Sequence, residues 1–253
     1  MRWLVLLLSL AMPVVSWFSQ QGVFGPTNGA ISDRYPTLIV AAGYAFAIWG
    51  LIFLWDMVFG AWQAFSRRAA TDPLAGIRPW AAAGFALTAV WMPVFSQQQL
   101  FWLALLIIWS ALVCLLTCAL KLSTARITAP GLTAWAWAPL SLHAGWLSLA
   151  ALLTTAQVIV AYRLLPTDAM LPWTLVLFAL ATALLLWANH RMRGNLPFVA
   201  AALWALAAVY VKQSGWRLPG SDTAALVAVV VALVLTAQTV WLRLRPQPRP
   251  AVG

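Results

Sequence analysis

Glutamate is absent from this 253-residue chain, whose acids are five aspartates: Asp33, Asp56, Asp72, Asp168 and Asp222. Charged residues make up 8% of it, against roughly 25% in a soluble domain. So few charges cannot coat a water-soluble globule. They also leave little for acid–base work. There are no paired carboxylates, no nucleophile–base motif and no metal-ligand cluster, so an enzyme is not expected. The two cysteines, Cys114 and Cys118, lie one helical turn apart in an apolar run with no other Cys or His near them in sequence. They read as small packing residues, with a redox pair or a metal site as the alternative. Linkers long enough for a soluble domain are missing too.

What is there is apolar. Hydrophobic residues form 64% of the chain and 17 tryptophans are among them. A helix needs about 20 mostly apolar residues to cross a bilayer. Eight segments qualify: roughly 3–19, 39–64, 80–95, 100–120, 136–161, 172–189, 196–212 and 223–242. The fold class is therefore an all-α polytopic membrane protein, with the third and seventh helices expected to be short. Arg2 ahead of the first apolar run allows a cleaved signal peptide. Pro13 and the bulky Trp17-Phe18 make a poor cleavage site, and an uncleaved helix is expected.

Eight spans with the N-terminus inside put Arg2, Arg67, Arg68, Arg78, Lys121, Arg126, Arg191, Arg193, Arg243, Arg245 and Arg249 on the cytoplasmic side. Arg34, Arg163, Lys212 and Arg217 fall outside. The bias obeys the positive-inside rule and leaves both termini cytoplasmic. A net charge of +10 spread over short inner loops is suited to anionic lipid headgroups, and no nucleic-acid partner is expected.

Eleven tryptophans sit at predicted helix ends, as an ordinary interfacial belt. Trp49, Trp55, Trp91, Trp109, Trp146 and Trp204 fall inside spans, where an indole N–H needs a partner. Helical spacing aligns Phe46, Trp49, Phe53 and Asp56 on one face of the second span. Thr88, Trp91 and Phe95 form a stripe on the third, and His143, Trp146, Ala150, Thr154 and Gln157 on the fifth. Each stripe is either a buried helix interface with polar glue or the lining of a cavity for a flat apolar ligand.

Asp56 is the one acid inside a span, and ionisable residues at that depth are usually functional. Counting ~1.5 Å per residue from the inner helix ends, Asp56 and His143 lie at about the same depth. They are candidates to hydrogen-bond each other. Otherwise Asp56 is simply protonated, or met by water near the cytoplasmic edge.

The stripes sit in segments that resemble the tryptophan-rich sensory protein family (TspO/MBR), related to the mitochondrial translocator protein. Phe46-Ala-Ile-Trp49-Gly-Leu-Ile-Phe53 resembles its second-helix motif, and Leu87-Thr88-Ala-Val-Trp91-Met-Pro-Val-Phe95 its third-helix motif. Trp146-Leu-Ser148-Leu-Ala150-Ala-Leu-Leu-Thr154 follows the fifth. The loop from Asn28 to Pro36 and the segment Ala42-Gly43-Tyr44 look like the longer bacterial branch, which adds helices after the fifth. The resemblance implies a five-helix bundle over residues 1–163 and three further helices over 164–253. It also implies a bacterial inner-membrane location and a pocket, capped by the first loop, for porphyrins, haem, sterols or similar flat molecules. Thr88 and Thr154 stand where the family motifs carry asparagine, His143 where it usually has tyrosine, and Asp56 where it has a small or apolar residue.

The leading expectation is a membrane sensor or carrier that binds a hydrophobic planar ligand through Phe46, Trp49, Phe53, Asp56, Thr88, Trp91, His143, Trp146 and Thr154. The alternative is a secondary transporter in which Asp56 and His143 carry a coupling proton, although the two halves lack the repeat usual in transporters. Small-xxx-small spacing at Ala82/Ala86 and Gly84/Thr88 allows a homodimer through the third span.

Overall fold

A computed structural model describes residues 1–65, 74–125 and 131–245. Arg67, Arg68, Arg126 and Arg249, assigned above to the inner side, lie outside the described residues. The described residues form nine α-helices and no strand. Eight of them are long and apolar enough to span a bilayer: α1 (Arg2–Gln20), α3 (Ile48–Phe65), α4 (Leu74–Gln97), α5 (Phe101–Thr124), α6 (Ala138–Ala161), α7 (Leu171–Arg191), α8 (Leu196–Gly215) and α9 (Ser221–Leu244). The ninth, α2 (Asn28–Arg34), is a single short helix between α1 and α3.

Three spans differ in their bounds from the sequence reading. The second span begins with a 3-10 turn at Gly43–Ala47, not at residue 39. Leu38, Ile39 and Val40 are apolar and buried, but Leu38 and Ile39 form a turn, closed by the Val40 N–H on the Thr37 carbonyl (3.2 Å), and are not helical. The third span is not short. Helix α4 starts at Leu74 and has 24 residues, with Pro79 held in its second turn, where it costs one backbone hydrogen bond. The seventh span reaches Gly215, which gives α8 20 residues.

Helix α6 is the most deeply buried span and organises the rest. It packs between α5 and α8, and touches α3 and α7. Helix α4 lies against α5 and α1, α3 against α1, and α9 against α8 and α7. Gly145 explains how α6 and α8 approach so closely: a Cβ there would collide with the backbone of Phe198. Gly84 plays a milder version of that role in α4, because a Cβ would meet the Leu115 side chain of α5 at 2.7 Å. The Gly84/Thr88 pair therefore faces inward and packs helices of one chain.

The ends of the bundle gather the groups that the charge pattern assigned to one side. At one end Gln63 donates to the Arg2 carbonyl (2.8 Å), Arg78 donates to Gln63 (3.0 Å) and Arg243 to the Gly194 carbonyl (3.3 Å). At the other, Lys212 pairs with Asp33 (2.8 Å) and Arg34 donates to Gln98 (2.8 Å). Several tryptophans at these edges carry a cation over the ring, Arg245 on Trp241 at 3.3 Å and Lys212 on Trp216 at 4.6 Å, an arrangement suited to the interfacial belt.

Candidate functional site

The first connection folds into a lid. Thr27 caps α2 by accepting from the Ala30 N–H at 3.3 Å. Several bonds then hold α2 and the chain after it to the bundle. Gln157 of α6 donates to the Ser32 hydroxyl (3.1 Å), and Gln98 accepts from Arg34 (2.8 Å) and from the Tyr35 hydroxyl (3.4 Å). Gln213 of α8 donates to the carbonyls of Thr37 (3.1 Å) and Val40 (3.2 Å). The Ala42 N–H donates to the Ala208 carbonyl in the body of α8 at 2.9 Å. Non-helical backbone inside a bilayer needs such partners, and α8 supplies most of them.

Beneath the lid is a narrow apolar slot of about 30 Å³, far below the roughly 300–1,000 Å³ of ligand pockets, so a ligand would have to part its walls. The lid contributes Ser32, Ile39 and Ala41. Phe46 and Trp49 come from the second span, Trp91 and Phe95 from α4, and Trp146, Ala150 and Thr154 from α6. Ala205 and Val209 of α8 close the remaining side. The aromatic walls brace one another. Trp49 meets Trp146 edge-on at 5.9 Å between centroids, and Phe46 meets Trp146 at 6.1 Å. Trp91 stacks on Phe95 at 4.6 Å, and Trp49 on Phe53 at 5.1 Å.

The six mid-span indoles divide into two sets. Trp55 donates to the Ala134 carbonyl (3.0 Å), Trp109 to the Thr155 hydroxyl (3.2 Å) and Trp204 to the Ala45 carbonyl (3.0 Å). Those three rings are satisfied by the protein. Trp49, Trp91 and Trp146 are buried, their N–H groups have no partner, and all three line the slot. A buried N–H left unpaired costs on the order of 1–3 kcal/mol. Three around one apolar space are unusual in a core.

One layer below, Asp56 and His143 meet. Asp56 Oδ2 lies 2.7 Å from His143 Nδ1, and both side chains are fully buried. On the far side of the ring, His143 Nε2 is 3.5 Å from the Thr88 hydroxyl, which itself donates to the Gly84 carbonyl at 2.9 Å. With its proton committed to Gly84, the Thr88 oxygen is left to accept, so Nε2 carries a hydrogen. Two states then fit the same geometry: an aspartate–imidazolium pair, or a protonated Asp56 donating to a neutral ring. Both are neutral overall, which suits the low dielectric. Trp49 stands edge-on to the imidazole at 5.6 Å, and Phe85 lies nearly parallel to it at 6.3 Å. Trp49 is thus the wall shared by the slot and the polar pair.

Of the nine residues singled out from sequence, Phe46, Trp49, Trp91, Trp146 and Thr154 line the slot. Asp56, Thr88, His143 and Phe53 form the layer behind it. The cysteines stand apart from both: Cys118 is buried against α4, with its thiol 3.6 Å from the Ile77 carbonyl. Sequence reasoning missed α8 as a wall, and missed Gln213 and Asn195. The Asn195 side chain caps α8 by accepting from the Phe198 N–H (3.1 Å), and donates to Ser141 of α6 (2.8 Å) and Ser123 of α5 (3.1 Å). An amide beside Pro197 at the start of an apolar run does signal a cap. Nothing local signals its partners.

A family model described as TSPO-like protein matches residues 2–241. The match extends well past residue 163 and takes in the three C-terminal spans. No match to the chain is found among curated proteins or among solved structures.

Proposed function

The chain belongs to the TSPO-like protein family, and on that premise we propose that it binds a flat, hydrophobic, hydrogen-bond-accepting molecule in the slot, as a sensor or carrier. One observation carries this reading: the three unpartnered indole N–H groups of Trp49, Trp91 and Trp146 around an apolar space. Planar rings match aromatic walls, and acceptor atoms on the ligand would give the indoles the bonds the protein withholds. Porphyrins and sterol-like molecules bearing oxygen meet that description. Among the described lining residues there is no histidine, cysteine or methionine, so haem would sit there without an axial protein ligand, and a metal-free tetrapyrrole fits the donor set better. Binding, not catalysis, is the role these residues support.

The test is binding of protoporphyrin IX to purified protein, read from the porphyrin's own absorbance. Trp49→Phe combined with Trp146→Phe keeps the apolar walls and removes two donors. At ~1 kcal/mol per hydrogen bond the affinity should fall about tenfold or more. Unchanged affinity would return these rings to plain packing.

The buried Asp56–His143 bond favours a second reading, a secondary transporter that moves a coupling proton through the pair. Asp56→Asn separates the two: binding persists in both, and only a proton-coupled transporter loses pH-driven uptake. For either role we propose that both termini are cytoplasmic, on the strength of the basic inner loops, and that the membrane is a bacterial inner membrane, as the resemblance to the longer bacterial branch of the family implies.

A further inference from the structure

A second concavity of about 360 Å³ opens on the lipid-facing side of the bundle. Helices α3 and α8 diverge below the 3-10 turn and leave a groove walled by Ala47, Ile48, Leu51, Ala201 and Trp204 and floored by Leu142 of α6. Trp204 is the ninth residue of the 20-residue α8, which puts the groove near mid-span, where only bilayer hydrocarbon reaches it. Its walls are the other faces of the slot's walls. Ala47 and Ile48 lie between Phe46 and Trp49 in the chain, and Trp204 precedes Ala205. The partition between the two spaces is held by one side-chain hydrogen bond, from the Trp204 indole to the Ala45 carbonyl (3.0 Å), with Tyr44 edge-on to the Trp204 ring at 5.5 Å. The aqueous end of the slot is shut far more firmly, by the bonds that Gln98, Gln157, Lys212 and Gln213 make to the lid.

We infer that this groove is the lateral portal of the slot, through which a flat apolar ligand dissolved in the bilayer enters and leaves, with Trp204 as its gate. The inference rests on the ligand-binding reading of the slot. A molecule that partitions into hydrocarbon is already concentrated at the groove, and it crosses one aromatic side chain instead of unmaking a polar lid. The groove is lined by alanines where bulk would obstruct passage, and by a ring that can swing on release of one bond.

A portal has a kinetic signature, because it lies on the path without being the site. The full chain in lipid nanodiscs, with protoporphyrin IX supplied from the bilayer, gives association and dissociation rates by stopped-flow tryptophan quenching. Ala47→Phe with Ala200→Phe adds bulk at two exposed positions on the groove's rim, which folding tolerates. Both rates should slow together by about tenfold while Kd stays within about twofold. Trp204→Phe keeps the ring and removes the bond, so both rates should rise, again at nearly constant Kd. Gln213→Ala, which loosens the lid, should leave both rates as they are. Groove variants without kinetic effect, or a lid variant that speeds both rates, would overturn the portal. A changed Kd at constant association rate would make the groove part of the binding site, and would overturn it equally. Absence of saturable porphyrin binding to the unmodified protein would remove the slot reading itself, and the portal with it.

Discussion

Replacing Asp56 with alanine leaves His143 in an apolar interior with nothing opposite Nδ1, since among the described residues the partner at 2.7 Å is the only group bonded to that atom. If the pair is ionic, stranding one member costs about 3–5 kcal/mol; if it is neutral, the lost bond costs about 1–3 kcal/mol. His143→Ala strands Asp56 in the same way and also empties the space between Phe85 and Trp49, so it should be the more costly of the two. The double variant strands neither. Its loss should fall short of the sum of the single losses by roughly 0.5–3 kcal/mol. At about 2–4 °C per kcal/mol for a chain of this size, that is a non-additivity of several degrees in Tm. Thermal unfolding in detergent, followed by intrinsic fluorescence, reads all four corners of the cycle. Asp56→Asn is the internal control: its carboxamide can donate to Nδ1 while Nε2–H stays on Thr88, so its loss should be much smaller than that of Asp56→Ala. Additive shifts across the cycle, or an Asp56→Asn loss equal to that of alanine, would refute the paired geometry.

Gly145→Ala should destabilise by about 1–3 kcal/mol, because its Cβ meets the Phe198 backbone, which cannot move without shifting α8. Gly50→Ala, where nothing lies within 4 Å, should be neutral or stabilise by up to about 1 kcal/mol; the two Tm values side by side check the packing. Asn195→Ala should cost about 2 kcal/mol through the lost cap and the bonds to Ser141 and Ser123, and urea unfolding measures it. In the membrane, a reporter fused after Asp168 should read periplasmic and one fused at the C-terminus cytoplasmic. A periplasmic C-terminus would contradict the eight-span topology.

Spans were legible because hydropathy alone decides which segments enter a bilayer, whereas two of the shifted boundaries involve forces hydropathy does not register. Leu38-Ile39-Val40 is as apolar as a helix, but it forms a turn whose carbonyl at Val40 is held by Gln213, 173 residues further on. Pro79 reads as a helix start, yet the helix carries it because Arg78 and Gln63 tie the turn down. Within the site, the stripes on the second, third and fifth spans were readable since a polar or aromatic residue recurs every three or four positions. Depth along the helices was enough to bring Asp56 opposite His143. Helix α8 carries no such mark. Ala205 and Val209 look like any packing residues, and their place in the slot follows from Gly145, which lets α8 settle on α6. The division of the six indoles into bonded and unbonded sets depends on long-range carbonyls and hydroxyls, so periodicity could not reveal it.

The central claim is that Trp49, Trp91 and Trp146 hold their indole N–H groups for a ligand. Nitrogen-15 labelling of tryptophan gives each indole N–H its own resonance in detergent micelles, assigned by single Trp→Phe variants. On titration with protoporphyrin IX, the resonances of Trp49, Trp91 and Trp146 should move downfield together and saturate, as new hydrogen bonds form. Those of Trp55 and Trp109, already bonded to Ala134 and Thr155, should stay in place. Shifts confined to Trp55 and Trp109, or no saturable shift at the three slot indoles, would contradict the account.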